Sequence, residues 1–148
     1  MEPENSIAHT IMNEWNNTYA HYSGEKCIHQ LFEERAVLNP ERIALVFDDG
    51  EITYSELNEK TDYLAAVLQI YKIGTGDFIG LLLKRSPELI ICLLAILKAG
   101  AAYVPLSLND PENRTMSIID AAEIKFVITN TGHDIDLKGK SERLDIEL

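Results

Sequence analysis

Few residues in this chain have the types and spacing that chemistry needs. Gly74-Thr75-Gly76 opens like a phosphate-cradling turn, yet it precedes an apolar run, where a dinucleotide-binding turn follows a strand and opens a helix. A plain helix-to-strand turn is the better reading. No GxxxxGK[ST] loop occurs anywhere, so phosphate binding of that type is excluded. Cys27 and His29 form a CxH pair without further ligands, and His9, His21 and His133 are scattered, which is not metal-site spacing. Cys92 lies within LIICLLAIL, where a thiol packs as a small hydrophobe and lacks the electropositive surroundings of a nucleophile. Arg85 and Glu88 flank a helix start and form a candidate structural pair; Arg114 is a candidate anion contact or simply a solvated first-turn charge. Tyr54 and Tyr103 read as packing residues with a polar tip. No nucleophile, base and oxyanion donor can be assembled, so no catalytic, cofactor-binding or metal-binding residue is assigned.

The elements around these residues are clearer. Ser86 to Leu106 (SPELIICLLAILKAGAAYVPL) is the stretch on which the chain is organised. Ser86 is placed to cap free amides, Pro87 suits the first helical position, and Glu88 favours the positive helix end. Leu89 to Leu97 contains no polar side chain, which predicts burial nearly all round. Lys98 suits the negative end and Gly100 the left-handed position after it, and Ala102 to Val104 then run extended to Pro105.

Upstream, Cys27 to Leu38 predicts a helix with Ile28, Leu31, Phe32, Ala36 and Val37 on its apolar face. Ile43 to Phe47, the Asp48-Asp49-Gly50 turn and Glu51 to Tyr54 predict a hairpin. Thr53 and Glu56 match a capping box that opens a helix with Leu57, Thr61, Leu64, Leu68 and Tyr71 on one face and Asn58, Glu59, Lys60 and Asp62 mostly in water. Phe78 to Leu83 is continuously apolar, as in a strand covered on both faces. Glu112 to Ala122 follows as a helix carrying Met116, Ile118 and Ile119, and Lys125 to Thr129 as a strand. Alternating strands and helices from Phe78 to Thr129 predict an α/β fold with a mostly parallel sheet flanked by helices.

Residues 1–25 read as a linker-like leader in which Ile7, Ile11, Met12 and Trp15 share a short helical face. Residues 132–148 alternate weakly, with frequent charges, and read as a tail or a truncated element. A chain of 148 residues with 46% hydrophobic content fits one globular domain. The net charge of -11, from 24 acidic against 13 basic residues, argues against nucleic acid as a partner. Neither a signal peptide nor an apolar run of membrane-spanning length is visible. Two cysteines without a disulfide framework fit a reducing, cytoplasmic setting.

Two stretches resemble a known family. Ile52 to Leu57 (ITYSEL) is similar to the first core motif of the adenylation domains of nonribosomal peptide synthetases, and Leu97 to Leu106 (LKAGAAYVPL) to the second. Between them GTGDFIGLLLKRSPELIICLLAIL stands in the family's order and spacing. Upstream, IHQLFEERAVLNPERIALVF resembles the entry to such a domain, and EWNNTYAHY the linker that follows a condensation domain. The resemblance covers about residues 12–131 and makes residues 26–131 a partial AMP-binding scaffold, the N-terminal part of an adenylate-forming enzyme N-domain.

That resemblance implies a family of ATP-dependent, AMP-forming ligases. They activate an amino acid with Mg-ATP, form an aminoacyl adenylate and pass the acyl group to a carrier-protein thiol during secondary-metabolite biosynthesis. The family holds its phosphates on a Ser/Thr/Gly-rich loop ending in Lys, and neither that loop nor the family's later motifs stand in this sequence. The chain alone is therefore expected to be inactive, as a truncated gene product or one part of a split enzyme. Its expected partners are the remainder of an adenylation domain, a synthetase, or a second copy of itself in an oligomer. Ser107-Leu108-Asn109-Asp110-Pro111 departs from the family's Asp-Pro continuation, through relaxed constraint or an alternative turn.

Overall fold

A computed structural model describes residues 14–20, 24–130 and 141–146, together with Ile7, Leu137 and Gly139. Expectations for Ile11, Met12, His9, His21 and His133 fall outside the described residues. Helix α1 spans Ile28–Leu38, strands β1 and β2 Ile43–Phe47 and Gly50–Thr53, and helix α2 Tyr54–Ile70. Then come β3 (Phe78–Leu82), α3 (Pro87–Lys98), β4 (Ala102–Pro105), α4 (Glu112–Ala121), β5 (Phe126–Thr129) and β6 (Glu142–Asp145).

β1 and β2 pair antiparallel as a hairpin. The other four strands form a parallel sheet in the order β4-β3-β5-β6, the architecture that the alternating pattern predicts. Side-chain alternation in β3 divides the core. Ile79 and Leu81 face α2 and α3, in a cluster with Leu64, Leu68, Ile91, Cys92, Ala95 and Ile128. Leu82 faces the other way, toward Met116 and Ile119 of α4 and Val127 of β5. Gly80 shares that second face because there is no room for a side chain: a Cβ there would lie 2.9 Å from Leu106 Cδ1 and 3.1 Å from Val127 Cγ2.

Three helices end the same way. After α3, Gly100 adopts φ +85°, its N–H donates to Leu97 O at 3.1 Å and the Ala101 N–H to Ile96 O at 3.0 Å, the paired bonds of a Schellman motif. Lys72 after α2 (φ 59°) and Glu123 after α4 (φ 51°) occupy the same left-handed position without being glycine. The N–H of Ile73 reaches Leu68 O at 3.1 Å, and that of Ile124 reaches Ile119 O at 3.0 Å. In all three motifs the residue after the left-handed one is buried, so the turn that stops each helix also drives an apolar side chain back into the core.

Several expectations need correction. Leu89, Ile90, Leu93 and Leu97 are only partly buried, so α3 is not enclosed all round: Ile91, Cys92, Leu94, Ala95 and Ile96 face the core and one apolar strip stays half open. Each large aliphatic side chain that is fully buried contributes about 1.5–3 kcal/mol, and the strip forgoes part of that. Ser86 sits at the N-cap but its hydroxyl makes no capping bond; Pro87 has no N–H to satisfy, and the Leu89 N–H is met by the Ser86 carbonyl at 3.2 Å. On α1 only Ala36 is buried, with Phe32 packed against the core, while Ile28 and Val37 are exposed. β6 is a strand that its charges conceal: Leu144 and Ile146 pack on the core, while Arg143 and Asp145 pair at 2.9 Å, as suits an edge strand.

Candidate functional site

The residues that could do chemistry are held apart, most of them in local structural bonds. Gly74-Thr75-Gly76 lies between α2 and β3, at the opening end of a parallel strand. The Gly74 N–H donates to Asp77 Oδ2 at 3.0 Å, the Asp77 N–H to Gly74 O at 3.0 Å, and Lys125 Nζ to Asp77 Oδ1 at 2.8 Å. The Lys125 hydrogen bond and the Gly74 amide hold the Asp77 carboxyl below its ordinary value, and the same carboxylate raises Lys125. The segment is a self-bonded turn that ties β3 to β5.

Cys27 is exposed at the start of α1, and its N–H donates to Gln30 Oε1 at 2.8 Å. His29 Nδ1 is buried without a hydrogen-bond partner. Among the described residues no group of three or more His, Cys, Asp or Glu could hold a metal ion. Cys92 is fully buried, and desolvation, with the charge of Glu88 adding to it, pushes its thiol up to about 12, far from a reactive thiolate.

Arg85 and Glu88 make no ion pair with each other. Arg85 lines one cavity, with Leu45 and Ile90, whereas Glu88 lines a neighbouring one with Glu56 and Lys60. Arg114 Nε donates to Asp110 Oδ2 at 3.0 Å, so its charge is engaged one helical turn back. Tyr54 stacks on Phe32 with ring centroids 6.0 Å apart. Tyr103 lies opposite Ile79 in the sheet and is 38% exposed.

The segment at 107–110, where the motif departs, forms a turn. Ser107 Oγ accepts from the Asn109 N–H at 3.2 Å and Ser107 O from the Asp110 N–H at 3.2 Å, a turn stabilised by its own side chain. Asp110 is also bound to Arg114, so an ordered turn stands where the motif departs.

Sequence reading missed the most connected polar group. Lys98, expected only to complement the helix dipole, has a side chain 4% exposed. Its Nζ donates to Asp62 Oδ1 at 2.6 Å and Asn58 Oδ1 at 2.8 Å, lies 3.6 Å from Glu33, and stands 5.5 Å from the Phe32 ring centre. It fastens α1, α2 and α3 at one point. Asn58 and Asp62 therefore turn to Lys98 and not simply to water; their i, i+4 spacing on α2 is the one signal that could have shown it.

Several polar groups of this arrangement are taken up by local bonds. The carboxylate at the Gly-rich turn, Asp77, is bonded to Lys125 and the Gly74 amide, Glu56 accepts from the Thr53 N–H at 2.8 Å, and a Cβ at Gly76, at φ +91°, would meet nothing within 4 Å.

Comparison with known proteins supplies the context. Residues 32–147 match the family described as "AMP-binding enzyme". The chain is 44% identical over 119 residues to one component of the linear gramicidin synthase of Brevibacillus parabrevis, covering 80% of this chain and 2% of that protein. It is 38% identical over 131 residues to tyrocidine synthase 1 of the same organism, covering 85% of this chain and 12% of that one. Among solved structures, the N-terminal subdomain of Klebsiella oxytoca NpsA superposes with a TM-score of 0.75 at 37% identity, over 81% of this chain and 31% of that one. The chain thus spans a small part of the synthetases it matches and about a third of the solved subdomain.

Proposed function

This chain belongs to the AMP-binding enzyme family, as the N-terminal portion of an adenylation domain of the nonribosomal peptide synthetase type, and from that premise we propose that its role is architectural. It supplies the opening scaffold of an amino-acid-activating domain in secondary-metabolite biosynthesis and does not form an aminoacyl adenylate alone. The observation that carries this reading is the structural use of the two matching motifs. ITYSEL is spent on β2 and the capping box of α2, and LKAGAAYVPL on the end of α3, its Schellman turn and β4. Mg-ATP and the amino acid belong to the complete domain, whose remaining polypeptide supplies the phosphate contacts, and the setting is the cytoplasm, in keeping with free Cys27 and Cys92.

The test is ATP-pyrophosphate exchange on the purified chain with each amino acid in turn. No exchange above the enzyme-free blank is expected; exchange with any one amino acid overturns the proposal. A second reading, a non-catalytic scaffold that binds a synthetase or a second copy of itself, is favoured by one observation, the half-open strip of Leu89, Ile90, Leu93 and Leu97 on α3. Light scattering separates the two, since the second reading requires an oligomer or a stable complex with a synthetase.

A further inference from the structure

α1 is tied to the fold more lightly than the other helices. One of its eleven residues, Ala36, is buried, against five each on α2 and α3 and three on α4. Among the described residues no backbone hydrogen bond joins residues 24–38 to any residue beyond Asn39, and the side chains of Lys26 and Gln30 bond within the same segment. The hold on the scaffold is one cluster. Phe32 stacks on Tyr54 with ring centroids 6.0 Å apart, Lys98 Nζ stands 5.5 Å from the centre of the Phe32 ring, and Glu33 Oε1 lies 3.6 Å from that ammonium. Past the helix the chain is pinned, since Pro40 O accepts from the Ser55 N–H at 3.0 Å and Arg42 O from the Tyr54 N–H at 2.9 Å. The Pro40 ring fixes its own φ, which leaves Asn39, at φ -140° and ψ 56°, as the joint.

We propose that α1 is a strap that swings off the scaffold as a unit about Asn39, latched by Glu33 and Phe32 on Lys98, while the sheet and the other helices stay folded. Opening strands no charge. Lys98 keeps its bonds to Asp62 Oδ1 at 2.6 Å and Asn58 Oδ1 at 2.8 Å, and Glu33, already 43% exposed, passes to water at little cost. His29 Nδ1, buried without a partner in the closed position, gains water on release, which removes the penalty of an unmade bond. Closure rests on the burial of Ala36 and part of Phe32 together with the latch. An isolated helix of this length is marginal in water, so the released strap loses its helical hydrogen bonds and its amides exchange with solvent. Among the described residues, Lys26 and Cys27 bond only to α1; a force or partner acting on the segment before α1 therefore reaches the scaffold through this latch.

Native-state hydrogen exchange on the full chain, read separately for α1, α2 and α3 along a series of low urea concentrations, tests the strap. The α1 amides should be at least about tenfold less protected than those of α2 and α3. Urea should speed α2 and α3 while leaving α1 nearly unchanged, because a local opening exposes little surface. Glu33→Gln should speed α1 exchange by about twofold to fivefold and leave α2 and α3 as they were. Gly80→Ala, which crowds Leu106 and Val127 on the far side of the sheet, should speed α2 and α3 but not α1. Circular dichroism establishes that each variant is folded, and the urea series on the unaltered chain decides the same question without a variant. Exchange of α1 that rises in step with α2 and α3, in urea or in Gly80→Ala, means that α1 opens only with the whole fold and overturns the strap. Unchanged α1 exchange in folded Glu33→Gln overturns the latch.

Discussion

Lys98 shows how one side chain organises this protein. Its ammonium is nearly enclosed, yet Asp62 and Glu33 remain partly exposed at 56% and 43%, so removing the cation leaves no acid stranded in the core. Lys98→Ala loses charge-assisted bonds, the contact over Phe32 and the packing of the stem; a destabilisation of about 2–3 kcal/mol is expected in urea unfolding, and Lys98→Met should recover part of it. Gly80→Ala should cost about 1–3 kcal/mol by overpacking, because the new methyl meets Leu106 and Val127 on a face already closed. The acid side of the stability profile follows from Asp77 and Glu56. The Asp77 carboxyl is held low chiefly by its bond from Lys125 and that of Glu56 by the Thr53 amide. The unfolded chain therefore binds protons at these groups first. Their contribution is complete above the ordinary carboxylate range and is lost as pH falls from there through their lowered folded-state values. Asp77→Asn should flatten the acid limb of a melting-midpoint profile; a limb of unchanged slope would contradict the assignment.

At the scale of elements, the ends of the helices carry the clearest predictions. Lys72 and Glu123 hold left-handed backbone at some strain, about 1–2 kcal/mol for a residue with a Cβ. Lys72→Gly and Glu123→Gly should each raise stability by about 0.5–1 kcal/mol. Gly100→Ala should lower it by a similar or larger amount, since φ is +85° and the Cβ would stand 3.2 Å from Thr75 Oγ1. These positions also mark what was legible in the sequence. Gly100 announced its turn, and Thr53 with Glu56 announced a capping box that the structure contains. Lys72 and Glu123 announced nothing, because there tertiary packing of Ile73 and Ile124 sets the conformation against local preference. Apolar periodicity found α2, α4 and the strands β3, β4 and β5. It overstated α1, where Ile28 and Val37 are spaced for a buried face but look outward, and it missed β6, whose inward Leu144 and Ile146 alternate with edge charges. The polar staple at Lys98 was hidden for a related reason: its partners lie 36 and 40 residues away, beyond any local pattern.

The described residues form a parallel four-stranded sheet with α4 on one face and α2 and α3 on the other, beside the β1–β2 hairpin. The two matching motifs build turns and caps in it. The strip on α3 stays half open. On the proposed reading, catalysis needs the complete domain. The most direct test is ATP-pyrophosphate exchange measured twice, first on this chain alone and then on the chain co-purified with the NpsA N-terminal subdomain from which the matched region has been deleted. The account predicts no exchange from the chain alone with any amino or aryl acid, and any exchange only in the reconstituted complex. Exchange by the isolated chain, at a rate proportional to its concentration and unaffected by further purification, would contradict it.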